Sequence, residues 1–137
     1  MVATVPILDE SVEATARAAP GFMDLANTED IDVGEAILVV ALEALTEPDL
    51  LLTGDKRFVA SLRHHFPERF ALLARRIFSF ETCLSLVCRD RGVAYVIERV
   101  RPVAACDGTL RLALGSGGGT DHTSFLEALG SCDPCRA

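Results

Sequence analysis

The sequence predicts an α/β fold, a short parallel sheet with helices packed around it, and three observations carry that prediction. Leu50, Leu51 and Leu52 form an unbroken apolar run between a proline turn and Gly54, as a strand covered on both faces does. Helical periodicity flanks this run on both sides, over Ile31 to Leu45 and from Lys56 to Leu62. A second stretch, Arg76 to Phe80, alternates like a strand and leads into another helical pattern.

In chain order, Ala3 to Leu8 is β-prone, and Asp9 or Ser11 then caps a helix that runs to about Ala19 and stops at Pro20 and Gly21. An acidic connector, Asn27 to Asp30, precedes the Ile31 to Leu45 helix, which is apolar on nearly every face and so belongs beneath or between other elements. It enters at Asp32 and leaves at the Thr46, Glu47, Pro48 turn. Phe58, Val59 and Leu62 face inward from the next helix, and a further helical turn follows Pro67 through Ala74. Beyond the second strand, Glu81 to Asp90 reads as a helix ended by Gly92, and Val93 to Val100 as a helix ended by Pro102. Ala104 to Leu114 forms a last helix. The Gly115 to Gly119 linker and a short helix around Ser124 to Leu129 complete the chain.

At 137 residues the chain holds one domain with its own core, which we place at 1–114, with a Gly-rich linker and C-terminal tail at 115–137. Half the residues are hydrophobic and mean hydropathy is +0.31, yet the Ala36 to Leu42 run is cut by Glu43 well short of a membrane span. Met1 to Glu10 lacks the basic and apolar regions of a signal peptide, so the expected compartment is the cytoplasm. Five cysteines, two of them (Cys83 and Cys88) inside a helical pattern, suit reduced thiols rather than a disulfide framework.

The net charge of −7 is unevenly spread. Residues 1–55 carry twelve acids against Arg17 alone, whereas residues 56–111 carry eleven Lys or Arg against five acids. An acidic cation pocket beside a phosphate-attracting basic rim has this distribution, as do helix faces that are charged only because they are wet.

A helix of about eleven residues and the strand after it both span roughly 15 Å at ~1.5 and ~3.3 Å per residue. With a tight turn between them, the helix start returns beside the strand end, so Asp32, Glu35 and Asp55 are expected at one edge. That edge is the carboxyl end of the sheet, where open α/β folds bind ligands. Crowded carboxylates there call for a hard divalent ion such as Mg²⁺ or Mn²⁺. The same residues also fit local roles: Asp32 and Glu35 have capping-box spacing, and Asp55 can cap the helix that starts at Lys56.

The strings Ile31-Asp32-Val33-Gly34-Glu35-Ala36 and Leu51-Leu52-Thr53-Gly54-Asp55-Lys56-Arg57-Phe58 resemble the second half of a PIN domain, over roughly residues 3–114. The resemblance implies a Rossmann-type three-layer α/β/α fold with a short parallel sheet, possibly incomplete. It also implies Mg²⁺- or Mn²⁺-dependent ribonuclease activity, as in the toxins of bacterial toxin-antitoxin pairs. By position, Glu35 and Asp55 look like metal-pocket acids, with Asp32 as a helper and Thr53 bonding to the pocket. PIN domains open with a strand ending in an essential Asp, and the stretch before Asp32 is too short for that strand and its following helices. The expectation is therefore a truncated or degenerate member, with Asp9 as the alternative first acid. A missing central strand would leave a sheet edge open to a second copy.

RNA is the expected substrate or partner, with an antitoxin-like protein as the other partner the resemblance implies. Lys56, Arg57 and Arg63 follow the acidic edge and are the expected phosphate contacts, with Arg75, Arg76, Arg89 and Arg91 widening the track. His64 and His65 could join them. With no Trp and only Tyr95, no stacking platform is evident, so binding should be salt-sensitive and weakly sequence-specific. Cys132-Asp133-Pro134-Cys135 has zinc-knuckle or redox spacing but lacks two further ligands, so a disordered tail is expected there. Three readings stand at this point: a metal-dependent ribonuclease, an inactive PIN-like module that binds RNA or protein, and an unrelated Rossmann-like domain whose acids are only caps.

Overall fold

The computed structural model describes residues 9–45, 49–115 and 119–136. The expected strand over Ala3 to Leu8, the Thr46, Glu47, Pro48 turn and the middle of the glycine linker lie outside them. The fold is mixed helix and strand with two parallel strands, and none of the described helices is long and apolar enough to cross a membrane. The chain divides into two compact units: one up to Leu51 together with Arg57–Arg76, the other Leu52–Lys56 together with Ile77 to the C-terminus.

In the first unit, α1 (Glu10–Ala18) starts at Asp9, whose carboxylate accepts the Ser11 amide at 2.9 Å, and Pro20 follows its end. Gly21 turns the chain into α2 (Phe22–Ala26) with φ 79°. A Cβ there would lie 2.9 Å from the tip of the Arg69 side chain, which can move aside, so it is the left-handed conformation that favours glycine. The long central helix α3 (Val33–Ala44) buries Ala36, Val39, Val40 and Leu42. Phe58, Val59 and Leu62 of α4 (Lys56–His65) and Phe70 and Leu73 of α5 (Pro67–Leu73) are buried as well.

Arg76 closes this unit. Its Nη1 donates to the carbonyls of Leu42 (2.9 Å) and Leu45 (3.1 Å), and its Nε donates to Asp49 O at 3.0 Å. The last carbonyls of a helix lack intrahelical donors, and an arginine fork satisfies them while favouring the negative end of the helix dipole. Arg76, expected on an outer basic track, is thus an internal clasp between the end of α3 and the chain entering the next strand.

The strand β1 (Leu51–Thr53), which from Leu52 onward belongs to the second unit, runs parallel to β2 (Ile77–Ser79). Leu51 is buried but Leu52 is 63 % exposed, so the strand is covered on one face where the leucine run predicts two. Ser79 accepts the Thr82 amide and starts α6 (Phe80–Arg91), which ends at Gly92 with φ 92°. From there α7 (Val93–Val100) leads into a 3₁₀ turn, Arg101–Cys106. Asp107 accepts the Leu110 amide and so opens a separate helix, α8 (Gly108–Leu114), where the sequence reads as one continuous helix from Ala104.

The last helix, α9 (His122–Cys132), is capped by Asp121, which accepts the amides of Thr123 and Ser124. These bonds hold the Asp121 carboxyl below its usual range. Phe125 and Leu129 of α9 are fully buried in a core with Cys88, Val96, Ile97, Val100, Leu110 and Leu114. The C-terminal stretch is thus a packed helix in this unit's core, longer than the Ser124 to Leu129 pattern.

Candidate functional site

At the start of α3, Asp32 and Glu35 are brought together by two reciprocal hydrogen bonds. The Glu35 amide donates to Asp32 Oδ1 at 2.7 Å, and the Asp32 amide donates to Glu35 Oε2 at 2.9 Å. This is a complete capping box. Of the two roles the sequence leaves open for this pair, the structure displays the local one. These capping bonds do not by themselves exhaust the roughly four acceptor sites a carboxylate offers.

Asp55 belongs to the second unit, in the turn between β1 and α4. Its amide donates to Thr53 Oγ1 at 3.0 Å, so Thr53 serves the turn's backbone. Beside it, Leu52, Thr53, Gly54, Phe80 and Cys83 line a shallow pocket of about 220 Å³.

Lys56, expected to hold phosphate, has an internal partner. Its Nζ lies 2.6 Å from Oε1 of Glu81, a carboxylate only 1 % exposed. Thr109 donates to the same oxygen at 2.7 Å, and Lys56 Nζ also bonds to the Thr109 hydroxyl. A buried carboxylate is tolerated only when paired and hydrogen-bonded, and Lys56 at the start of α4, Glu81 in α6 and Thr109 in α8 are the three members. The turn that carries Asp55 is thereby anchored through the very next residue. Sequence reasoning missed Glu81 because it sits among the first residues of a helix, where an acid is ordinary. Its one signal is the apolar Phe80 and Leu84 beside it.

A second buried carboxylate adjoins the first. Asp133 accepts Ser79 Oγ at 2.7 Å and Thr82 Oγ1 at 2.6 Å, as well as the Cys135 amide at 3.0 Å, with Arg136 Nε 3.5 Å away. The segment after α9 is therefore fastened onto the start of α6. Burial first, and the Asp133 charge second, push the thiols of Cys83 and Cys135 up. That keeps them protonated and weakly nucleophilic.

Of the other basic residues named from sequence, Arg57 is largely exposed and sits 3.8 Å from Asp30. With Glu29, Asp30, Ala60, Ser61, His64 and His65 it lines an open pocket of about 280 Å³ in the first unit. Asp30 adopts φ 61°, a left-handed conformation that Asp tolerates better than most residues. Arg63 lies over the Phe70 ring at 5.9 Å. Acids and bases alternate around this pocket, so it does not present a single-sign phosphate track.

The oxygen-only donor set of Asp32, Glu35 and Asp55 is chemically suited to Mg²⁺ or Mn²⁺. Among the described residues, however, no group of three or more His, Cys, Asp or Glu is gathered closely enough to hold an ion. The comparisons add no relative: no family model, no curated protein and no solved structure matches the chain.

Proposed function

We propose that the chain is a PIN-like, metal-dependent ribonuclease domain with a reduced acid set, in which Glu35 and Asp55, helped by Asp32, would hold Mg²⁺ or Mn²⁺. The observation that carries this reading is the order of elements around the two strings. An acid-headed helix, α3, leads into a short parallel strand, β1, and that strand ends at Thr53-Gly54-Asp55 before the basic helix α4. Such an ion, when bound, supplies an activated water and charge stabilisation for phosphodiester hydrolysis. The chain's own residues would orient the acids: the capping bonds fix Asp32 and Glu35, and the Lys56–Glu81 pair fixes the turn behind Asp55.

A specific observation favours a second reading, an inactive PIN-like module that binds RNA or an antitoxin-like protein. Both α3 acids are engaged in capping, and Lys56 is engaged with Glu81. Among the described residues β1 pairs with β2 alone, and an open sheet edge is where a second copy can add a strand.

Glu35→Gln separates the readings because glutamine serves a capping box as glutamate does but is a poor ligand for a hard cation. Mn²⁺ titration and cleavage of a single-stranded RNA are measured on wild type, Glu35→Gln and Asp55→Asn. Cleavage lost in both variants at unchanged melting temperature supports the nuclease. Metal binding without cleavage supports the inactive module, and neither binding nor cleavage leaves the acids as caps alone.

A further inference from the structure

Outside the acidic site, the outer face of α7 carries a feature that the sequence does not announce. Val96, Ile97 and Val100 bury one side of this helix in the second unit's core. On the other side the Arg99 guanidinium lies flat over the Tyr95 ring, with its central carbon 3.5 Å from the ring centroid. Arg99 Nη1 also donates to Tyr95 O at 3.3 Å and lies 3.4 Å from Glu98 Oε2. The guanidinium is therefore held in place by three contacts, and Tyr95 stays 37 % exposed. Arg91, the last residue of α6, pairs with the exposed Asp90 at 2.9 Å.

We propose that this Tyr95–Arg99 stack, with Arg91 four residues before it in the chain supplying a phosphate contact, is a binding surface for single-stranded RNA. A planar guanidinium on a phenol ring, standing on a buried helix face, is a rigid π-platform for an unstacked base. The exposed ion pairs of Arg91 and Arg99 contribute little, and a phosphate can take the place of Asp90 or Glu98. Charge agrees with a polyanion: residues 89–111 carry five arginines against three acids in a chain of net −7. A single strand is favoured over a duplex because a base must leave its stack to lie on the platform. The proposal rests on the RNA reading above but uses none of its acids.

Tyr95 is the chain's one tyrosine and there is no tryptophan, so intrinsic tyrosine fluorescence reports on this spot alone. The full chain is titrated in EDTA, which prevents metal-dependent cleavage, with a short single-stranded RNA of mixed sequence and with the same strand annealed to its complement. Saturable quenching is expected with the single strand, with weaker binding of the duplex and at higher salt. By fluorescence polarisation of labelled RNA, Tyr95→Leu should bind about five- to a hundredfold more weakly, and Arg99→Ala should also lose affinity, both at wild-type melting temperature.

Binding that survives both substitutions, or no binding at all, overturns the proposal. So does Tyr95 fluorescence that follows protein concentration instead of RNA, which would make the face a contact between copies. Metal-dependent cleavage lost on Glu35→Gln with this binding intact would leave both proposals standing. Quenching without any cleavage would remove only the nuclease.

Discussion

Two acid-bearing helix starts, α3 in the first unit and α6 in the second, satisfy their carboxylates in opposite ways. Asp32 is exposed, Glu35 is half-buried, and they use each other's backbone amides three residues apart. Glu81 is 1 % exposed and draws on Lys56 at the start of α4 and on Thr109, 28 residues away. A local cap can be exchanged for another side chain with the same hydrogen bond, and water covers any shortfall. A buried acid has no such reserve, since each partner it loses leaves a desolvated charge behind. The comparison therefore predicts a severalfold difference in what the two sites contribute to stability.

The largest effect should come from Lys56→Met. Removing one member of a buried pair costs about 3–5 kcal/mol, and the 40 % exposure of the Lys56 side chain places this case near the lower end. Lys56→Met with Glu81→Leu should recover most of that loss, because no charge is then left buried. Urea unfolding of the four species in a double-mutant cycle measures it. A Lys56→Met cost no larger than that of an exposed cap would put the two sites on one footing and break the comparison.

The same contrast explains what was legible in the sequence. The caps at Asp9 and Asp32 follow from residue types within three positions of one another, and the sheet-forming segments follow from Leu50 to Leu52 and Arg76 to Phe80. The capping box itself was read as one of two roles for Asp32 and Glu35. Glu81, Asp133 and the Arg76 clasp were not legible, because each depends on partners tens of residues distant, and a charged residue in a helix reads as solvated until its neighbours are known. The Leu52 face misled for the same reason: an apolar run fixes a strand's propensity but not what covers it. Tyr95 reads as a lone aromatic, since nothing in the spacing says that Arg99 lies flat on its ring rather than extending into water.

Asp133 offers an intermediate case, a buried carboxylate held most closely by two neutral hydroxyls, with the half-exposed Arg136 farther off at 3.5 Å. Asp133→Ala would leave Ser79 Oγ and Thr82 Oγ1 without their acceptor and should cost about 2 kcal/mol, less than Lys56→Met. Asp133→Asn keeps an acceptor but removes the charge, which isolates the electrostatic part. The Asp133 charge raises the Cys83 and Cys135 thiols, so neutralising it must lower both, while burial still holds them above an ordinary thiol. Alkylation rates against pH should then rise at lower pH in Asp133→Asn than in wild type. Unchanged profiles would show that burial alone sets these thiols.

The smallest effects belong to the α3 cap, and they are the most informative about function. Asp32→Ala removes an N-cap acceptor and should cost about 1 kcal/mol, whereas Glu35→Gln should fall within a few tenths of a kcal/mol of wild type, because the amide oxygen still accepts the Asp32 amide. A metal ligand behaves differently, since an ion that binds only the folded state adds RT ln(1 + [L]/Kd) to its stability. Melting curves with and without Mn²⁺ therefore distinguish two jobs for one side chain. If Mn²⁺ raises the wild-type transition and leaves Glu35→Gln unmoved, the carboxylate serves a cation as well as the helix. Equal shifts in both proteins would confine Glu35 to its capping bond and place any bound ion elsewhere.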